Sequence, residues 1–468
     1  MLNRKEPDMR HHTNKSKTLR LIKSTLLVAL ATLILATPAM AAQVKLDVSL
    51  ANPIILAGEK QTGYLRVAMT GFEMEDEADR TPVNVAIVLD KSGSMQGDKI
   101  VKAREAAVMA VERLRPNDIV SVITYDTTVN VLVPATKASD KLSIIKRIQQ
   151  ISAGGNTALF AGVSKGAYEV RKFLDINRVN RVILMSDGLA NHGPSTPAEL
   201  AELGKSLGQD GIAVTTIGLG LGYNEDLMTQ LAGKSDGNHM FAENATDLAH
   251  AFDQEFGDVL SVVAQSVDVH IHCPVGIRPI RVLGRDADII GQHVNTSLNQ
   301  LYSKQMKYVL LEVELPPGQV GQELQVAKVD ISYANMDTKT RDKLQSLVSA
   351  VYSDSPDRVE RELNKKVMES AVEQIAVSHN DRAVKLRDEG KVEEARQVLE
   401  SNTRYLEDKA DYLESKKLRD YGKLNKADAK NLNQKNWSWQ RKTMKKEQYK
   451  LNKQQTVDIK GGSTISTP

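Results

Sequence analysis

The sequence predicts an α/β protein. A doubly wound, mostly parallel sheet is inserted in a β-sandwich-like domain and followed by an α-helical hairpin. Three observations carry this. From Val83 to about residue 256, short apolar runs alternate with amphipathic stretches at helical spacing. The flanks, 42–80 and 262–335, switch to period-two alternation broken by Gly and Pro. From 340 to 415 the spacing is that of helices throughout.

The elements follow in order. Residues 1–41 have a basic segment ending at Lys23, an apolar core Thr25–Ala36, and the small-residue site Ala39-Met40-Ala41. This order is that of a secretory signal cleaved after Ala41. This twelve-residue core falls short of the roughly 20 residues that span a bilayer. The expectation is an exported protein, periplasmic or secreted, with no integral membrane span after cleavage. In 42–80, Val44, Leu46, Val48 and Leu50, then Leu65, Val67 and Met69, alternate as strands, and Glu73–Asp79 is an acidic link. In 83–256, strands are expected at Val83–Leu89, Ile119–Tyr125, Arg181–Met185, Ile212–Ile217 and His239–Ala242, with Val129–Val133 a hairpin edge. Helices are expected at Lys99–Leu114, Asp140–Ile151, Leu159–Phe173, Pro197–Leu207, Glu225–Ala232 and Thr246–Leu260. Strands return in 262–335 at Val267, Val269 and Ile271, at Tyr308 and Leu310, and at Val326, Val329 and Ile331. Each flank is short for an independent sheet, so one sandwich built from both is the economical reading. In 340–415, Leu344, Leu347, Val348 and Val351 open a helical pattern, and Glu389-Gly390-Lys391 turns a hairpin. Residues 416–468 are polar and Lys- and Asn-rich around Trp437-Ser438-Trp439, which predicts weak helix and then disorder.

Composition narrows the function. Aromatic residues make up 4% of the chain, leaving few stacking platforms for sugars or bases. The single cysteine, Cys273, excludes an internal disulfide and a Cys-based metal site. The net charge of +3 hides an asymmetry: 416–468 carries fourteen Lys and Arg against four acids, and 1–41 carries seven against two. The body between them is acidic, so the basic tail reads as solvated or paired with that body rather than bound to nucleic acid.

The chemistry concentrates in Asp90-Lys91-Ser92-Gly93-Ser94-Met95, between the apolar run Val83–Leu89 and an amphipathic helix. In open α/β sheets ligands bind at this end of the strands. One carboxylate and two hydroxyls offer only oxygen, which suits a hard cation. Two further stretches follow, Gly154-Gly155-Asn156-Thr157-Ala158-Leu159 and Leu184-Met185-Ser186-Asp187-Gly188. Together the three resemble the signatures of the von Willebrand factor A (VWA) domain and its metal-ion-dependent adhesion site. The resemblance covers residues 83–256. Its five site positions map onto Asp90, Ser92, Ser94, Thr157 and Asp187, none substituted. It implies Mg²⁺, or Mn²⁺ or Ca²⁺, and a metal position left open for an acidic residue of a protein partner.

Other patterns point elsewhere. Gly162-Val163-Ser164-Lys165-Gly166 fits the hydrolase pattern G-x-S-x-G but sits in a helical stretch. Gly218–Tyr223 starts like a dinucleotide loop and lacks its third glycine. His270 and His272 share a strand face without an evident third ligand. The reading is a non-enzymatic, exported protein that binds a partner through the metal. The alternatives are an envelope scaffold with a structural metal, or a metal-assisted hydrolase, for which His192 is the one histidine in the three loops.

Overall fold

The computed structural model describes residues 43–74, 80–432, 435, 437–459 and 463–465. The expected signal, 1–41, lies outside them. In chain order the strands are β1 Lys45–Leu50, β2 Ile54–Leu56, β3 Gln61–Thr70, β4 Val83–Asp90, β5 Ile119–Tyr125, β6 Val129–Lys137, β7 Val179–Ser186, β8 Ala213–Leu219 and β9 His239–Ala242. Then come β10 Val262–His272, β11 Arg278–Leu283, β12 Asp288–Ile290, β13 His293–Tyr302, β14 Gln305–Leu315, β15 Glu323–Asn335, β16 Arg341–Ser353, β17 Gln455–Ile459 and β18 Ser463–Ile465. The helices are α1 Asp98–Arg113, α2 Lys141–Gln149, α3 Leu159–Arg171, α4 Pro197–Gln209, α5 Glu225–Lys234, α6 Ala245–Leu260, α7 Pro356–Arg361, α8 Lys365–Asp388, α9 Val392–Leu413, α10 Lys416–Lys430 and α11 Trp437–Asn452.

The central sheet has the order β6-β5-β4-β7-β8-β9. Only the β5–β6 pairing is antiparallel. β4 is buried along its whole length, which is why its sequence is apolar without a break. Its side chains alternate between two cores. Val83, Val85, Ile87 and Leu89 meet Ala103, Ala107, Ile144 and Phe252 from α1, α2 and α6. Ala86 and Val88 meet Leu159, Val163, Leu200 and Leu227 from α3, α4 and α5. The chain leaves β4 towards β5 on one side and resumes at β7 on the other. The gap between β4 and β7 is thus the topological switch point, where such sheets bind ligands.

Two further sheets form a sandwich, ordered β1-β3-β14-β17-β18 with β11 also on β14, and β12-β13-β10-β15-β16-β2. Leu65, Val67 and Met69 of β3 and Val309, Leu311 and Val313 of β14 face Val267, Val269 and Ile271 of β10 and Val326 and Val329 of β15. Strands from before and after the central sheet share one core, so the α/β domain is inserted in the sandwich.

Two expectations need correcting. Residues 341–353 are a strand, not the start of a helical region. Leu344, Leu347, Val348 and Val351 have helical spacing, but eleven residues of β16 pair with β15 and its end pairs in parallel with β2. Leu347 is left 64% exposed, which a helix core position would not be. The second correction is the tail. In place of disorder, 416–459 forms α10, α11 and β17, with β18 beyond. The polar side chains of α11 find partners: Arg441 reaches Glu225, Asp226 and Asp388, and Lys442 reaches Glu225. Helices α8, α9 and α10 pack around Val372, Ala376, Leu406, Leu413 and Leu418, so the expected hairpin is part of a larger bundle. Among the described residues no helix is long and apolar enough to cross a membrane.

Candidate functional site

The five residues singled out in the sequence come from three loops at the carboxyl end of β4 and β7. Asp90 is the last residue of β4 and stands in register with Tyr125 of β5. Its side chain is fully buried. Asp90 Oδ1 accepts the backbone N–H of Ser92 at 2.8 Å, closing a tight turn. Its Oδ2 accepts the Ser186 hydroxyl at 2.5 Å and the Tyr125 hydroxyl at 3.3 Å. Burial pushes the Asp90 carboxyl above its usual range; the hydrogen bonds from Ser186 and Ser92 oppose this, and Asp187 adds to it. A buried carboxylate beside a second one favours a cationic partner.

After Asp90 the chain makes one 3-10 turn, Gly93–Met95, anchored by the buried Met95. The turn brings the Ser92 and Ser94 hydroxyls within 3.1 Å of each other. Ser94 Oγ donates to Asp187 Oδ1 at 2.7 Å. Asp187 directly follows β7 and is buried. Its outer oxygen, Oδ2, takes the ammonium of Lys99 from the first turn of α1.

Thr157 arrives on the third loop. Its N–H donates to Asn191 Oδ1 at 2.9 Å, and its carbonyl accepts the Asn191 N–H at 3.3 Å. The loop is stitched to the first one: Gly154 N–H donates to the Lys91 carbonyl at 2.6 Å and Gly93 N–H to the Gly155 carbonyl at 2.9 Å. Lys91 also pairs with Asp126 at the end of β5. Although burial works against it, the Asp126 carboxyl is held below its usual range by Lys91 and Thr128. Gly188 shows how close the loops come. A Cβ there would stand 3.0 Å from Thr157 Oγ1 and 3.4 Å from Ser94 Oγ, inside the site.

The donor set is two carboxylates and three hydroxyls, all oxygen. It fits a hard divalent cation such as Mg²⁺. Among the described residues no group of three or more His, Cys, Asp or Glu is arranged for a metal; a cation at this site would draw on the hydroxyls as well as the carboxylates. Sequence reasoning assigned no role to Ser186, Tyr125, Lys99 or Asn191. Ser186 lies within the Ser-Asp-Gly signature and was open to notice. The others become neighbours only through the fold.

Of the remaining sequence candidates, Ser164, His270, His272 and Cys273 lie outside these loops. Ser164 lies in α3, where Gly162 and Gly166 let the helix approach the sheet; a Cβ on either would come within 2.6 Å of Tyr125 or Val88. His270 bonds Asn295 at 2.7 Å, and the His272 ring lies 4.5 Å from that of His293. Cys273 is buried and free. His192 is exposed on the loop after Asp187.

Residues 84–255 match the family model of the von Willebrand factor type A domain. The chain carries a VWA domain. The solved structure of von Willebrand factor type A from Catenulispora acidiphila superposes with a TM-score of 0.66 at 16% identity, covering 83% of this chain and 90% of that one. The likeness thus extends beyond the VWA domain to the surrounding fold. An uncharacterized protein of Synechocystis sp. is 27% identical over 279 residues, 58% of this chain and 65% of its own length. The human inter-alpha-trypsin inhibitor heavy chain H2 is 29% identical over 192 residues, 38% of this chain and 20% of its own. The chain therefore spans less than two thirds of these curated relatives.

Proposed function

We propose that the protein is an exported, non-enzymatic binding protein. Its VWA domain holds a divalent cation, Mg²⁺ or in its place Mn²⁺ or Ca²⁺, and through it grips an acidic residue of a protein partner. The observation that carries the reading is the linked set Ser92, Ser94 and Asp187 beside buried Asp90 at the switch point. Asp90, Ser92, Ser94, Thr157 and Asp187 would hold the ion. When bound, the ion supplies an electrophilic position that a partner carboxylate can fill. Ser186 and Tyr125 fix the rotamer of Asp90, and Asn191 fixes the Thr157 backbone. The signal-like order of 1–41 supports export. In the sequence, His192 is the one histidine of the three loops and no neighbouring residue evidently orients it as a base, which favours a binding role over hydrolysis.

The test is capture of a partner from envelope extract with and without EDTA, alongside Mg²⁺ titration of the purified protein by calorimetry. Asp90→Ala removes formal charge from the ion's surroundings, and losses at or next to metal ligands cost about 10–100-fold in affinity. The variant should lose Mg²⁺ binding and partner capture while melting as a folded protein. Capture by folded Asp90→Ala in EDTA would refute the reading.

A further inference from the structure

A second site lies away from the VWA loops. A cavity of about 880 Å³ opens between α5, the turn after β11, and helices α8 and α11, with Asp236, Arg285, Gln374, Gln448 and Lys453 on its walls. Its charges do not balance. Asp236 alone serves two buried lysines: Oδ2 lies 3.2 Å from Lys307 Nζ and Oδ1 lies 3.0 Å from Lys453 Nζ. Arg285 is a third cation beside them. It donates Nε to the Gln454 amide oxygen at 3.2 Å and Nη2 to the Lys453 carbonyl at 3.5 Å, both neutral acceptors. Of the other carboxylates lining the cavity, Asp286 pairs with Lys234, Asp381 with Lys445 and Asp268 with Arg341, and Asp288 stands on the rim beside them.

The cavity also carries unused hydrogen-bonding capacity. Gln448 is 3% exposed, yet neither atom of its side-chain amide has a partner. A buried amide donor without an acceptor is costly. So is a surplus of desolvated positive charge. Burial lowers the Lys307 ammonium to about 7, with Asp236 opposing and Lys453 and Arg285 reinforcing the shift. Arg285 and Lys453, with Lys307 only partly charged, outnumber Asp236 at this point, although Asp258 and Asp286 also act on them; the remaining positive charge suits an oxyanion such as a phosphate ester.

We propose that this cavity binds a phosphate group, held by Arg285 and Lys453 with the Gln448 amide as a further donor. The phosphate is either free or carried by a small organic molecule, for which the cavity has room. Nothing in this site depends on the metal reading, since Asp90 and Asp187 are not among the residues that line it.

The experiment uses the full chain in EDTA. Thermal unfolding is followed with inorganic phosphate, with glycerol 3-phosphate, and with sodium chloride at matched ionic strength; calorimetry then gives affinities. A ligand that binds only the folded state raises Tm with concentration. The expectation is a dose-dependent rise with phosphate beyond that with chloride, and a larger one with glycerol 3-phosphate if an organic phosphate is the source. Arg285→Gln should weaken binding about tenfold or more, the size of one charged hydrogen bond. Gln448→Met should weaken it less, and it serves as the second probe if Arg285→Gln fails to fold. Arg278→Gln, whose exposed side chain pairs with Glu314, should bind like the parent. Equal responses to the phosphates and chloride would overturn the proposal, as would parental affinity in both cavity variants.

Discussion

Replacing Arg181 by Met should destabilise the protein by about 3–5 kcal/mol, the cost of removing one partner from a buried pair. Arg181 in β7 and Glu255 in α6 form an ion pair at 2.9 Å in which neither side chain is exposed. The guanidinium also donates to Thr215 Oγ1 at 2.8 Å, to Gln300 Oε1 at 2.5 Å and to the Tyr302 hydroxyl at 2.7 Å. Gln300 and Tyr302 belong to β13, so this one side chain bonds the VWA sheet to the sandwich. Methionine fills much of the space but leaves Glu255 without its cation, with Asn238 and Thr215 as its remaining partners. The stability change is measured by urea denaturation, with the slope checked for loss of two-state behaviour. Arg181→Met combined with Glu255→Gln removes the stranded charge and should recover about half the loss. A single variant within about 1 kcal/mol of the parent would refute the reasoning, because a buried, unpaired carboxylate cannot be that cheap.

Ending the chain after residue 415 should lower the melting temperature measurably by circular dichroism, since it strips Leu418 and Tyr421 from the bundle core and all the α11 ion pairs; an unchanged melt would show that α10 and α11 pack without consequence. His239→Gln should flatten the acid limb of the stability profile. The buried ring, bonded to Thr216 Oγ1 at 2.9 Å, is pushed down to about 3 by burial, with Lys442 and Lys446 adding to it. The unfolded chain takes up this proton near pH 6.5 and the folded one only near 3, so between those values stability falls as pH falls, by about 1.4 kcal/mol per pKa unit. Asp258 and Asp428, each raised by burial to about 7, give the opposite slope in both proteins. The difference between parent and variant in urea melts at pH 7 and pH 5 therefore isolates His239, and identical profiles would contradict its neutral state.

The parts of this protein legible in its sequence are those where a local pattern and the fold demand the same thing. An unbroken apolar run followed by Asp90, Ser92 and Ser94 reads as a strand end carrying a site because both faces of β4 are covered and its carboxyl end is open. Period-two alternation in the flanks survived because each sandwich strand has one face on the shared core. The reading failed where long-range pairing overrode local spacing. In β16, Leu344 and Val348 are four apart, which suits a helix face as well as one face of a strand, and only the ladder to β15 decides. It failed again where charge stood for structure. Polarity in 416–468 looked like a chain unable to bury enough surface, but the acids that complement it lie more than two hundred residues away at Glu225 and Asp226.

Those distant acids also place the tail close to the proposed metal site. Lys442 is almost fully buried, with its ammonium 2.7 Å from the Tyr223 carbonyl and 4.2 Å from the centre of the Tyr223 ring. Tyr223 in turn sits 3.4 Å from His239 Nε2, and the Tyr449 ring meets that histidine edge-on. Helix α11 therefore grips the loop between β8 and α5 and packs against the edge strand β9. At Gly222 the same loop runs against Asp187; a Cβ there would stand 2.9 Å from the Asp187 carbonyl oxygen. One wall of the VWA site is thus a loop whose other end is held by a segment some 220 residues later in the chain. A basic, polar helix is the physical requirement for that grip: an apolar one would have left Glu225 buried without a countercharge.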